Sequence, residues 1–100
     1  MIEENNEKNI VFVGNKQVMN YVTSAVMQLK TGSPNVIIKA RGKFISKAVD
    51  VAEVLRKRFL KDLSPTIEDI KIDTEEYDKE GKTIKVSTID IIIAKASSLS

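Results

Sequence analysis

The chain has no cysteine, no histidine and no tryptophan. Without cysteine there is no disulfide framework and no thiolate chemistry, which fits a reducing compartment. Without histidine as well, the common transition-metal sites and the usual proton shuttles at neutral pH are unavailable. Aromatics are scarce, with two Tyr and three Phe, so aliphatic side chains must supply the core. No apolar run approaches the roughly 18 residues needed to span a bilayer. The start, Met1-Ile2-Glu3-Glu4-Asn5-Asn6-Glu7, is acidic where a secretory signal would be basic. These absences predict a soluble, cytoplasmic protein. Many Ile, Lys and Glu with no Cys or His also suit a thermophile.

What remains is enough for one domain. At 100 residues and 42% hydrophobic, the chain can bury a real but small core. Residues 1–8 read as a flexible acidic tail and 96–100 as a flexible Ser-rich end, which leaves a domain at 9–95.

The net charge of +2 conceals a strong asymmetry. Residues 1–8 carry −2. Residues 9–61 hold ten Lys/Arg against Asp50 and Glu53, a net +8. Residues 62–100 hold five Lys against nine acids, a net −4. A basic body of this kind points toward nucleic acid or an anionic surface.

Its centre is Lys39-Ala40-Arg41-Gly42-Lys43-Phe44-Ile45-Ser46-Lys47, which has four cations and no acid. The run joins an apolar strand-like segment to one with helical spacing. Cations, backbone N–H groups and a helix N-terminus can there converge on one anion. The bland alternative is a solvated basic face, but stable surfaces normally mix signs. Gly14-Asn15-Lys16 offers a weaker version of the same arrangement, although Gly and Asn are also common in such turns for geometry alone. Neither is a nucleotide P-loop: Phe44 follows Gly42-Lys43 where Ser or Thr is needed, and Ile37 stands where the upstream glycine belongs.

Periodicity gives the element order. Asn9–Val13 reads as a buried strand, with Asn15 as N-cap of a helix whose apolar face is Val18, Val22, Ala25 and Leu29. Thr31-Gly32-Ser33-Pro34 stops it. Asn35–Lys39 is a second strand. Ser46 then caps a helix with Ala48, Val51, Ala52, Leu55 and Phe59 on one face. Ile67–Asp73 and Thr83–Lys95 form a hairpin, the latter with Ile89, Ile91 and Ile93 on one face. The turn falls within Asp78–Lys82, and the segment 74–82 reads as a protruding tip. The predicted fold is α+β: a single β-α-β-α-β-β domain with a mixed four-stranded sheet, both helices on one face and a long C-terminal hairpin. A right-handed crossover makes the first strand pair parallel.

At the tip, Lys79, Lys82 and Lys85 could follow a phosphate backbone, or be neutralised by Asp73, Glu75, Glu76, Asp78 and Glu80. Phe44 is either an exposed apolar contact or a loop anchor. Catalysis finds no constellation: no carboxylate cluster has metal-ligand spacing, and Ser46-Lys47 are adjacent on a helix and face apart. The reading is a non-enzyme with no metal or cofactor.

Two blocks also carry a resemblance. Val13-Gly14-Asn15-Lys16-Gln17-Val18-Met19-Asn20-Tyr21-Val22 and Ile38-Lys39-Ala40-Arg41-Gly42-Lys43-Phe44-Ile45-Ser46-Lys47-Ala48-Val49-Asp50 resemble the Alba family of archaeal chromatin proteins. Arg56-Lys57-Arg58-Phe59-Leu60 and Val86-Ser87-Thr88-Ile89 extend the likeness over about residues 9–95. The resemblance implies the same element order and a homodimer that binds double-stranded DNA, and RNA, with little sequence preference at the chromosome or nucleoid. It implies phosphate contacts from Lys16, Asn20, Arg41 and Lys43 on the body, arm contacts from Lys82 and Lys85, and a dimer–dimer contact at Phe59. Lys39, Gly42 and Lys47 join the candidate set from the basic run itself. Two departures stand out. Relatives commonly have a lysine, open to acetylation, where this chain has Asn15, which removes one body cation per protomer and puts that switch in doubt. Their arms often carry arginine, whereas these carry lysine among acids, and minor-groove insertion favours arginine. An RNA-binding ribonucleoprotein subunit and a protein-only interaction module remain the alternatives.

Overall fold

The computed structural model describes residues 9–96. The tail expected at 1–8, and residues 97–100 of the one expected at 96–100, lie outside the described residues. Ala96, placed in the second tail, donates its N–H to the Leu63 carbonyl at 3.0 Å.

The elements run β1 (Ile10–Phe12), α1 (Val18–Lys30), β2 (Asn35–Arg41), a 3₁₀ turn (Gly42–Phe44), α2 (Ile45–Arg58), a short α3 (Leu60–Leu63), β3 (Thr66–Lys79) and β4 (Lys82–Ala94). The sheet order is β1-β2-β4-β3. β1 and β2 pair in parallel, while β2–β4 and β3–β4 are antiparallel. This is the expected α+β architecture.

The strand period of two sorts the side chains. Val11, Val36, Ile38, Ala40, Ile89, Ile91 and Ile93 face the helices and are buried. They meet Val22, Ala25, Val26 and Leu29 of α1 and Ala48, Val51, Ala52 and Leu55 of α2. Leu29 and Leu55 are fully buried, and each such side chain is worth about 1.5–3 kcal/mol. No helix among the described residues is long and apolar enough to cross a membrane.

Three local expectations are corrected. Asn15 does not cap α1: Gln17 holds the N-cap position, with no side-chain capping bond. Ser46 does not cap α2 but lies inside it, because Gly42, at φ +57°, turns the chain straight from β2 into the 3₁₀ turn that runs on into α2. Glycine takes that φ at no steric cost, whereas most residues with a β-carbon adopt it only rarely. The third correction concerns the hairpin. β3 continues to Lys79 rather than ending at Asp73, and the loop shrinks to Glu80-Gly81, at φ +52° and +79°. Two positive φ values in a two-residue loop match the right-handed twist of the flanking strands. The ladder from Thr74↔Ser87 to Lys79↔Lys82 is made by backbone groups, so the charges along it do not stop it. Residues 74–87 therefore form an extended two-stranded arm, and the molecule extends over 55 × 32 × 23 Å.

Candidate nucleic-acid interface

The parallel β1–β2 pair ends with both strands leading into loops at the same end of the sheet. The first loop, Val13–Gln17, is tied down by two side chains. The Tyr21 hydroxyl, one turn into α1, accepts the backbone N–H groups of both Gly14 and Lys16 at 2.9 Å. The Lys47 ammonium, in the first turn of α2, donates to the carbonyls of Gly14 (2.8 Å) and Lys16 (2.7 Å). Lys47 thus bolts the first loop to the start of α2, beside the basic run. Two backbone N–H donors of the loop that leads into α1 are satisfied in this way by a side chain of the helix.

This arrangement sorts the candidate residues. Lys16, Asn20, Arg41, Gly42 and Lys43 are exposed around the joined loops. Lys47 is half-buried, with its ammonium turned inward onto carbonyls. The N–H groups of Gly14 and Lys16, expected to face an anion, are taken by Tyr21. Phe44 is an anchor: it is half-buried against the core, with the Lys43 and Lys47 ammonium groups 5.4 and 5.7 Å from its ring centre.

The run that is free of acids in sequence is not free of them in space. Lys39 pairs with Asp90 of β4 at 3.0 Å on the face of the sheet away from the helices. Arg41 pairs with Glu75 of β3 at 3.1 Å, with both side chains about half exposed. Lys16 and Lys43 have no carboxylate within 4 Å among the described residues. Lys82 and Lys85 are exposed on the arm, where Lys85 stands across from Glu76. Phe59, expected at the end of the helical face, sits one residue past α2, half-buried against the core.

Sequence reasoning gave Tyr21 and Asp90 no role at this site and set Glu75 against the arm lysines rather than Arg41. The alternation along β4 puts Asp90 on the bare face, but only the strand order brings it to Lys39. Farther along α2, Glu53 bonds Arg56 and Lys57 at 3.0 and 3.2 Å. Its carboxyl is held below the usual range, first by the Arg56 hydrogen bond and then by Lys57. Among the described residues no group of three or more His, Cys, Asp or Glu is arranged to hold a metal ion.

The sequence profile of the Alba family matches residues 9–74. The DNA/RNA-binding protein Alba 1 of Archaeoglobus fulgidus is 57% identical over 88 residues, covering 88% of this chain and 97% of its own. The DNA/RNA-binding protein Alba of Methanocella arvoryzae is 53% identical over 90 residues, covering 89% and 92%. Among solved structures, Alba from Thermoplasma volcanium superposes with a TM-score of 0.77 at 47% identity, covering 87% of this chain and 100% of that one. In sequence and in fold, this chain belongs to the Alba family.

Proposed function

We propose that the protein binds double-stranded DNA, and RNA, through backbone phosphates without reading sequence, and that it shapes the nucleoid in the cytoplasm as a homodimer. The observation that carries this reading is the Lys47–Tyr21 tie between the two loops. It presents Lys16, Arg41, Lys43 and the Gly42 backbone from one preorganised edge. Cations on phosphates fix a protein on a helix without specifying bases. The relatives' names, DNA/RNA-binding protein, favour both nucleic acids. Lys82 and Lys85 extend the contact along the arm. No catalytic step, cofactor or metal is part of the mechanism.

The dimer reading rests on a second surface. Ile70 and Ile72 project on the helix side of β3, in register with Ile91 and Ile89, yet are 52% and 78% exposed. Ile72 shares a hollow of about 400 Å³ with Ile45 of α2, and Val49, one turn farther along, is exposed too. An apolar patch of this kind marks an interface. A second copy related by a two-fold axis would cover both patches at once. Phe59, at the far end of α2, then serves contacts between dimers.

The test is a gel-shift series with two unrelated DNA duplexes and a structured RNA across salt, alongside sedimentation. The reading predicts similar affinity for the two duplexes, measurable RNA binding, a dimer, and a monomer for Ile72→Asp. Failure to bind either nucleic acid at low salt would leave only a protein-interaction module. Phe59→Ala should keep dimeric DNA binding and lose cooperativity; unfolding would make it a core residue alone.

A further inference from the structure

We infer that the bare face of the sheet carries a second site, a trough that takes an unpaired nucleobase of single-stranded nucleic acid, with Phe12 as its stacking platform. Both helices cover one face of the sheet, so the opposite face is uncovered. Across it the ladders align Phe12, Lys39, Asp90 and Lys71 in one row, one residue from each strand. The next row toward the basic loop is Arg41, Thr88 and Asp73. Between and around these rows lies a trough of about 700 Å³, within the range of sites for small organic groups.

Phe12 is 57% exposed and lines this trough. Among the described residues, cation–ring contacts occur only at Phe44, so the Phe12 ring keeps its π-face uncommitted. A base needs a flat apolar surface, polar groups at its edge and cations for the flanking phosphates. Phe12 supplies the first. Thr88 and Asp90 supply the second; Asp90 accepts one bond from Lys39, which holds its carboxylate in place and leaves further lone pairs available. Arg41 and Lys71 supply the third. Aromatic residues on the bare face of a four-stranded sheet are an established way to stack unpaired bases. Stacked, paired bases of a duplex cannot enter, so this site is separate from backbone binding although it shares Arg41.

The chain has no tryptophan, so Phe12→Trp introduces a single indole reporter. The variant is titrated with single-stranded RNA and DNA oligonucleotides, their abasic counterparts, and a duplex of the same length. Quenching by a single strand of either chemistry, and not by the abasic strands or the duplex, is the expected result. Phe12→Ala should weaken single-strand binding about 5- to 150-fold, the loss of one base–aromatic stack, while duplex affinity stays within about twofold because no phosphate contact is lost. Phe12→Leu, which keeps apolar bulk without the π-face, should show the same selective loss and guards against a folding defect. Equal quenching by abasic strands or duplex overturns the proposal, as does a loss in Phe12→Ala and Phe12→Leu that is absent or that falls equally on single strands and duplex. If duplex binding fails while single strands still quench the indole, the backbone reading falls and this site stands.

Discussion

The basic loop and the hairpin arm both offer cations to a polyanion, but they hold them differently. Around the loop, each cation has a structural setting. Lys47 is spent on backbone carbonyls, Lys39 is paired with Asp90, Arg41 is paired with Glu75, and Lys43 lies over Phe44. On the arm, Lys79, Lys82 and Lys85 are exposed on a two-stranded ladder and share it with Asp73, Glu75, Glu76, Asp78 and Glu80. The arm also reaches back: its Glu75 is the acid that restrains Arg41. On the proposed reading, loop affinity is therefore set partly by the arm's own charges, and sequence distance misjudges which charges compete.

The largest expected effect separates the two regions. Arg41→Ala with Lys43→Ala should weaken duplex binding by on the order of tenfold or more, since bonds to charged groups are worth about 1.5–3 kcal/mol. Lys79→Ala should change it by about twofold or less, as expected of an exposed charge among acids. Equal losses in a filter-binding titration would erase the contrast.

Lys47→Ala comes next and tests whether this cation is a tie or a phosphate ligand. The tie predicts a lower melting temperature, from about 1–3 kcal/mol for losing its two bonds to carbonyls. It also predicts weaker binding with an unchanged salt slope. Unchanged stability with a slope reduced by about one per protomer would make Lys47 a phosphate ligand instead.

A smaller effect goes the other way. Glu75→Gln frees Arg41 and removes a negative charge, so duplex affinity should rise about two- to fivefold, the scale of an exposed ion pair. An unchanged or lower affinity would show that the pair orients Arg41 rather than restraining it.

The smallest contrast uses charges in neither region. The Glu53 carboxyl is held low by Arg56 and Lys57. Its contribution is present above the unfolded-state pKa and is lost as pH falls through the folded-state pKa. The melting-temperature difference between the protein and Glu53→Gln should shrink on going from about pH 7 to about pH 3, with no change in duplex affinity at neutral pH.

The sequence was legible where one local rule decided the outcome. The spacing Ala48, Ala52, Leu55 and the alternation Ile89, Ile91, Ile93 marked their core faces, and a strand-helix-strand order implied the parallel pair. It was misleading where a distant group did the work of a local one. Asn15 and Ser46 looked like caps, but Gln17 takes the first N-cap position behind a loop held by the Tyr21 hydroxyl, and Gly42's backbone makes the second helix entrance. Residues 74–79 read as part of a protruding tip beyond the strand ending at Asp73, yet cross-strand backbone pairing carries β3 through them. Lys39 and Arg41 looked unopposed because Asp90 and Glu75 lie far along the chain.

The most direct test of the central claim is the salt dependence of duplex binding. If the loops of a dimer neutralise five or six phosphates, log K should fall with log salt concentration with a slope of roughly −5. Paired body cations that never release to phosphate, or binding carried by apolar contacts, would give a slope near zero and contradict the account.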